Sequence, residues 1–204
     1  NERYFEKPPP YGQAVTEDTG LQRTSDSLPK EISEQVKNEA IRVCNSVRVN
    51  FDELISDIKR WVNIDTHTEE ISLLHEIAND IATSLNSYGF TSELVPIPSH
   101  GPYVHAVLEG AGSAKIALLC HHDTVFKRGT AHTRPFSMNK DRAFGPGIAD
   151  MKGGIALAAH VGRYLRESPW AFNRIELISA SDEEARSQPL RTIDRLEGFD
   201  AVLC

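Results

Sequence analysis

The sequence predicts an α/β domain, a sheet layered with helices, and three observations point there. From Lys115 onward, short apolar runs alternate with a long stretch whose apolar residues recur every three or four positions. Read in order these are strand, helix, strand, helix, strand, an alternation that favours parallel neighbours in one sheet. Finally, three acidic motifs stand where an apolar run gives way to a loop: H-H-D-T-V at 121–125, G-P-G-I-A-D-M-K-G-G at 145–154 and S-D-E-E at 181–184.

The elements follow from the N-terminus. Residues 1–30 are polar and carry Pro8, Pro9 and Pro10 in a row, so a flexible or surface-draped arm is expected. Over 31–48, Ile32, Val36, Ala40, Val43 and Val47 draw an apolar stripe and predict an additional N-terminal helix. A helix over 51–62 gathers Phe51, Leu54, Ile58 and Trp61 on one side, with Asn50 as N-cap and Glu53 reaching back. The next is predicted to start at Thr68, with Glu69 and Glu70 in its first turn, and to stop at Gly89. Strands over 91–96, 103–109 and 115–120 follow, then a helix over 151–166, a strand over 174–180, a short helix near 190–196 and a strand from Ala201.

At 204 residues, 40% hydrophobic and 25% charged, the chain is long enough for one domain with a real core. A formal net charge of −7 argues against a nucleic-acid partner, and no apolar run approaches a membrane span. Cys44, Cys120 and Cys204 are too few and too scattered for a disulfide scaffold or a thiolate metal site. Cys120, inside a strand-like run, reads as a buried inert thiol. Nothing has the build of a signal peptide, and the chain begins at Asn1, so the compartment stays open between the cytoplasm and export with a leader removed.

The chemistry lies in where the motifs fall. Ligands of open α/β sheets bind beyond the carboxyl ends of the strands. His121 follows one strand, residues 182–184 follow another and Asp150 stands at the mouth of a helix, so all three are expected on one rim. If extended geometry continues past the strand, His121 and Asp123 share a face and His122 points to the other. That makes His121 a metal ligand, Asp123 the carboxylate that orients it, and His122 a packing or hydrogen-bonding residue. Gly145 and Gly147 suit a tight loop, and the acid that ends the loop suits a cation rather than a phosphate. Glu183 and Glu184, adjacent at a strand end, point differently, so one can bind metal while the other stays free as a base. An isolated D-E-E would read as a solvated acidic loop; convergence on a shared rim is what favours chemistry. His67, His75, His100, His105, His132 and His160 are expected in surface or packing roles.

L-L-C-H-H-D-T-V-F, D-R-A-F-G-P-G-I-A-D-M-K-G-G and S-A-S-D-E-E together resemble the zinc-dependent aminoacylase and glutamate-carboxypeptidase family of metallopeptidases, over about 51–204. The resemblance implies a layered α/β/α catalytic domain, of which 49–204 would be the N-terminal part, with the lid or dimerisation domain absent. It implies two zinc ions in a complete site, with cobalt or manganese as substitutes. His121 would bind one, Asp150 would bridge both, Glu184 would bind one, Glu183 would be the general base and Asp123 would orient His121. The family's remaining ligands, another acid and a distant His, would follow Cys204. A small peptide or N-acyl amino acid is the expected substrate, and a homodimer is possible in a full-length parent. A deacylase of N-acyl amino acids is the alternative within the family. A catalytically incompetent fragment acting through a partner is the alternative outside it.

Overall fold

The computed structural model describes residues 34–140, 142–185 and 198–204. The expected arm over 1–30 and the short helix near 190–196 lie outside the described residues. Three long helices come first: α1 (Glu34–Val49), α2 (Phe51–Val62) and α3 (Ile71–Ser87). Strands β1 (Thr91–Val95), β2 (Tyr103–Glu109) and β3 (Lys115–His121) follow. A short helix α4 (Thr130–Thr133) leads into a small hairpin of β4 (Ser137–Asn139) and β5 (Arg142–Phe144). Helix α5 (Gly153–Leu165), strand β6 (Arg174–Ala180) and strand β7 (Ala201–Leu203) complete the set.

The central sheet runs β1-β2-β6-β3-β7. It is mixed: β1, β2 and β6 pair antiparallel, whereas β6, β3 and β7 pair parallel. The parallel half is the part the alternation predicts. The main core forms on one sheet face, because β2 and β6 alternate and send Val104, Ala106, Leu108, Ile175 and Leu177 to the same side. There they meet Trp61 and Ile58 of α2, Ile77, Ile81 and Leu85 of α3, and Ile155 and Ala159 of α5. Gly89, at φ +96, ends α3 as expected.

Three local expectations are corrected. Asn50 does not cap α2: α1 runs into α2 through this one residue, and its Nδ2 donates back to the Ser46 carbonyl at 2.9 Å. Glu53 is paired with Arg163 of α5 instead. Helix α3 starts at Ile71 rather than Thr68, because Thr68 gives its hydroxyl to Asp123 at 2.7 Å. The helix predicted over 151–166 starts at Gly153, preceded by a π-helical turn at Ile148–Lys152 in which Asp150 and Met151 leave helical geometry. The β4–β5 hairpin, short and exposed, carries no apolar alternation that would have announced it.

The α2–α3–α5 junction is held by one buried carboxylate. Asp57 accepts hydrogen bonds from the Tyr88 hydroxyl at 2.6 Å and His160 Nε2 at 3.0 Å, and pairs with Arg60 at 2.9 Å. Burial pushes its carboxyl up, but the His160, Tyr88 and Arg60 partners outweigh burial and hold it below the usual range. A carboxyl depressed in the folded state stabilises fully above its unfolded pKa, and that contribution fades as pH falls through the folded value. Asp57→Ala is therefore expected to cost about 3 kcal/mol at neutral pH, since three donors lose their acceptor. Asp57→Asn should flatten the acid limb of a melting series below about pH 4, where the free carboxyl begins to take up its proton. A limb as steep as the wild type's would contradict this account.

Candidate metal centre

Strands β3 and β6 run parallel with His121 opposite Ala180, so both end at one level and release 121–124 and 181–184 side by side. The turn carrying Asp150 arrives from the same edge. His121 Nε2 lies 2.8 Å from Asp150 Oδ1, and its Nδ1 lies 3.4 Å from Asp123 Oδ1. His121, Asp150 and Glu184 each offer one ligand atom, and those atoms lie within 4.8 Å of one another. Glu183 is exposed beside them and, with His121, Asp150, Met151 and Ala180, lines a cavity of about 300 Å³. A neighbouring cavity of about 380 Å³, between α5 and β3, is apolar and lined by residues such as Leu118, Leu157 and Val161, so the chemistry belongs to the smaller one.

Asp123 is the node of the arrangement. It is fully buried, and each of its oxygens accepts from a backbone N–H. Oδ2 accepts the Thr68 hydroxyl at 2.7 Å and the Glu184 N–H at 3.0 Å, while Oδ1 accepts the Glu183 N–H at 3.1 Å and faces His121. Burial raises this carboxyl, but His121, Thr68 and the Glu184 N–H together hold it below its usual range. The same carboxylate acts on His121: burial disfavours the charged ring, yet Asp123 and Asp150 push it up to about 9. Glu184, partly buried, is raised chiefly by that burial, with His121 pulling the other way.

His122 turns to the helix side of the sheet, where Nδ1 lies 2.9 Å from Ser179 Oγ. It is wholly buried, and burial pushes it down to about 3, so it stays neutral and packs. The S-D-E-E segment is pinned from the opposite side. Ser181 Oγ donates to the Gly101 carbonyl at 2.5 Å, and Asp182 accepts the Tyr103 hydroxyl.

The loop before Asp150 is shaped by close approach. At Gly147, φ +71, a Cβ would stand 2.6 Å from the Thr124 methyl; at Gly145 it would strike Val62 of α2. At Gly153 and Gly154 the close neighbours lie in the preceding turn, not in the sheet. A Cβ at Gly153 would meet the Ile148 carbonyl at 2.6 Å, and one at Gly154 would meet Met151. Sequence reasoning passed over Lys152, which is 1% exposed and donates from Nζ to the carbonyls of Trp61 and Ile64 at 3.0 and 2.9 Å. Burial pushes its amino group down to about 7. The only hint in the sequence was a lysine set among small and apolar residues.

One imidazole and two carboxylates from three separate segments suit a hard or borderline divalent cation, and three protein ligands leave a position open for water or substrate. The ring nitrogen of His121 that faces Asp123 is steadied by it, as outer carboxylates do for metal-bound histidines. The donor set and its spacing therefore fit zinc.

Fold and donor cluster together define a class: an α/β domain presenting a His–carboxylate cluster at the carboxyl ends of parallel strands. The family is narrower. Residues 117–203 match Peptidase family M20/M25/M40. Carboxypeptidase G2 of Pseudomonas sp. (strain RS-16) is 31% identical over 138 residues, 66% of this chain and 33% of that protein. The fold is similar to that of the dipeptidase Dug1p from Saccharomyces cerevisiae, with a TM-score of 0.63 at 17% identity, covering 81% of this chain and 40% of that one. Human carnosine dipeptidase 1 follows at a TM-score of 0.60 and 19% identity, covering 73% and 36%. Residues 117–203 thus match the M20 peptidase family, and the chain is similar in fold to M20 metallopeptidases. It spans about a third of the length of the curated relative it matches.

Proposed function

We propose that this chain contributes the metal-binding edge of a zinc-dependent peptidase that hydrolyses an amide bond and releases an amino acid, in the manner of a glutamate carboxypeptidase. The observation that carries this reading is the meeting of His121, Asp150 and Glu184 within 4.8 Å, with Glu183 on the same cavity wall. Bound zinc would lower the proton affinity of a water molecule and polarise the amide carbonyl. His121, Asp150 and Glu184 would hold the metal in this reading, and Asp150 would also serve a second ion. Glu183 takes the proton of the attacking water and returns it to the leaving amine. Asp123 keeps the His121 ring turned toward the metal. The likeness to carboxypeptidase G2 supports the substrate end of the proposal.

The test uses the protein in its natural form. Zinc-loaded protein is expected to release the terminal residue from N-blocked peptides ending in glutamate faster than it deacetylates N-acetyl amino acids. Removing metal with a chelator should abolish release, and zinc should restore it. Chelator-insensitive release would sink the metal-dependent reading, and faster deacetylation would sink the carboxypeptidase assignment.

A further inference from the structure

Two residues after Asp150, the chain buries a lysine where an apolar residue would be cheaper. Lys152 is 1% exposed, yet it belongs to no ion pair among the described residues. Its Nζ donates to the carbonyls of Trp61 and Ile64, which stand at and just beyond the C-terminal end of α2. That is where unpaired carbonyls collect and a positive group is favoured. Burying an amino group costs several kcal/mol unless its hydrogen bonds are kept, so the contact needs a return. The preceding backbone explains it. The Lys152 N–H donates to the Gly147 carbonyl at 2.8 Å, closing the turn that contains Asp150. Asp150 and Met151 have non-helical backbone angles, and the Asp150 side chain is 76% exposed, its one polar partner among the described residues being His121. From the helix that follows, the Gly153 N–H donates to the Ile148 carbonyl, a bond that continues the turn without tying it to another element.

We propose that Lys152 is a positioning residue: it clamps the turn of 147–152 onto the end of α2 and so sets where the Asp150 carboxylate stands relative to His121 and Glu184. This rests on the metal reading given above. Lys152 touches neither metal nor substrate, and it acts through Asp150.

The experiment compares Lys152→Met, which keeps the stem and removes the amino group, with Lys152→Gln as a milder variant. Leu85→Ala, a core change in α3, serves as the stability control. Hydrogen exchange of the backbone amides of 147–153 is followed in metal-free protein, and zinc affinity is measured by competition with a chromogenic chelator. Either lysine variant is expected to speed exchange in that segment selectively and to weaken zinc binding at least tenfold. Leu85→Ala, matched for its loss of melting temperature, should leave both unchanged. Wild-type zinc affinity in whichever lysine variant folds would overturn the clamp, as would a loss no greater than the control's. Asp150→Asn separates the two readings: if it binds zinc as tightly as wild type, the metal assignment fails, and the exchange result alone decides whether Lys152 holds the turn.

Discussion

Replacing Glu183 by alanine is expected to lower turnover by about 10²–10⁴-fold while zinc stays bound. The expectation rests on the division of labour between two adjacent carboxylates. Glu184 lies within the donor cluster with His121 and Asp150, whereas Glu183 is exposed on the cavity wall. Its backbone N–H is tied to Asp123, which anchors the segment, and among the described residues its carboxylate has no hydrogen-bond partner. Removing it takes away a proton acceptor and leaves the ligand atoms where they were. Asp150→Ala should do the reverse, losing metal first and activity as a consequence. Metal content after dialysis and kcat on a glutamate-terminated peptide, measured on both variants, give the answer. A Glu183→Ala protein with near wild-type kcat would remove Glu183 from the chemistry.

Asp123→Ala should weaken zinc binding by about 10–100-fold, the usual cost of losing the outer partner of a metal-bound histidine. It should also destabilise the fold by about 3 kcal/mol, since the N–H groups of Glu183 and Glu184 and the Thr68 hydroxyl lose a buried acceptor. Asp123→Asn is expected to rescue little. Each oxygen of that carboxylate accepts from a backbone N–H, so an amide nitrogen in either position would face another N–H. Zinc titration and chemical denaturation of the two variants, run side by side, check this. Wild-type affinity and stability in the asparagine variant would mean that charge and acceptor count at this position are unimportant.

Much of the fold was legible because it depends on near neighbours. The stripes of α2 and α3, the alternation in β2 and β6, and the stop at Gly89 are all written in spacings of a few residues. The local errors share a cause. The capping role of Asn50 failed because α1 leaves no free helix end there, and the start at Thr68 failed because its hydroxyl is needed 55 positions away at Asp123. Asp150 was expected at a helix mouth and stands instead in a distorted turn, pressed into shape by Val62 and Thr124 against two glycines. Apart from Ser46, four residues before Asn50, none of these partners is visible within a window of sequence.

By itself, then, the sequence determined the kind and order of the long elements and the donor types gathered in each motif, since periodicity and composition act over short stretches of chain. Only the tertiary structure decided which carboxylate serves which partner. The parallel register of β3 with β6 brings His121 level with Ala180, the buried carboxylate of Asp123 collects donors from three segments, and Lys152 reaches the end of α2. Each of these is a contact between distant positions, selected because a buried polar group must find its partner wherever packing leaves one.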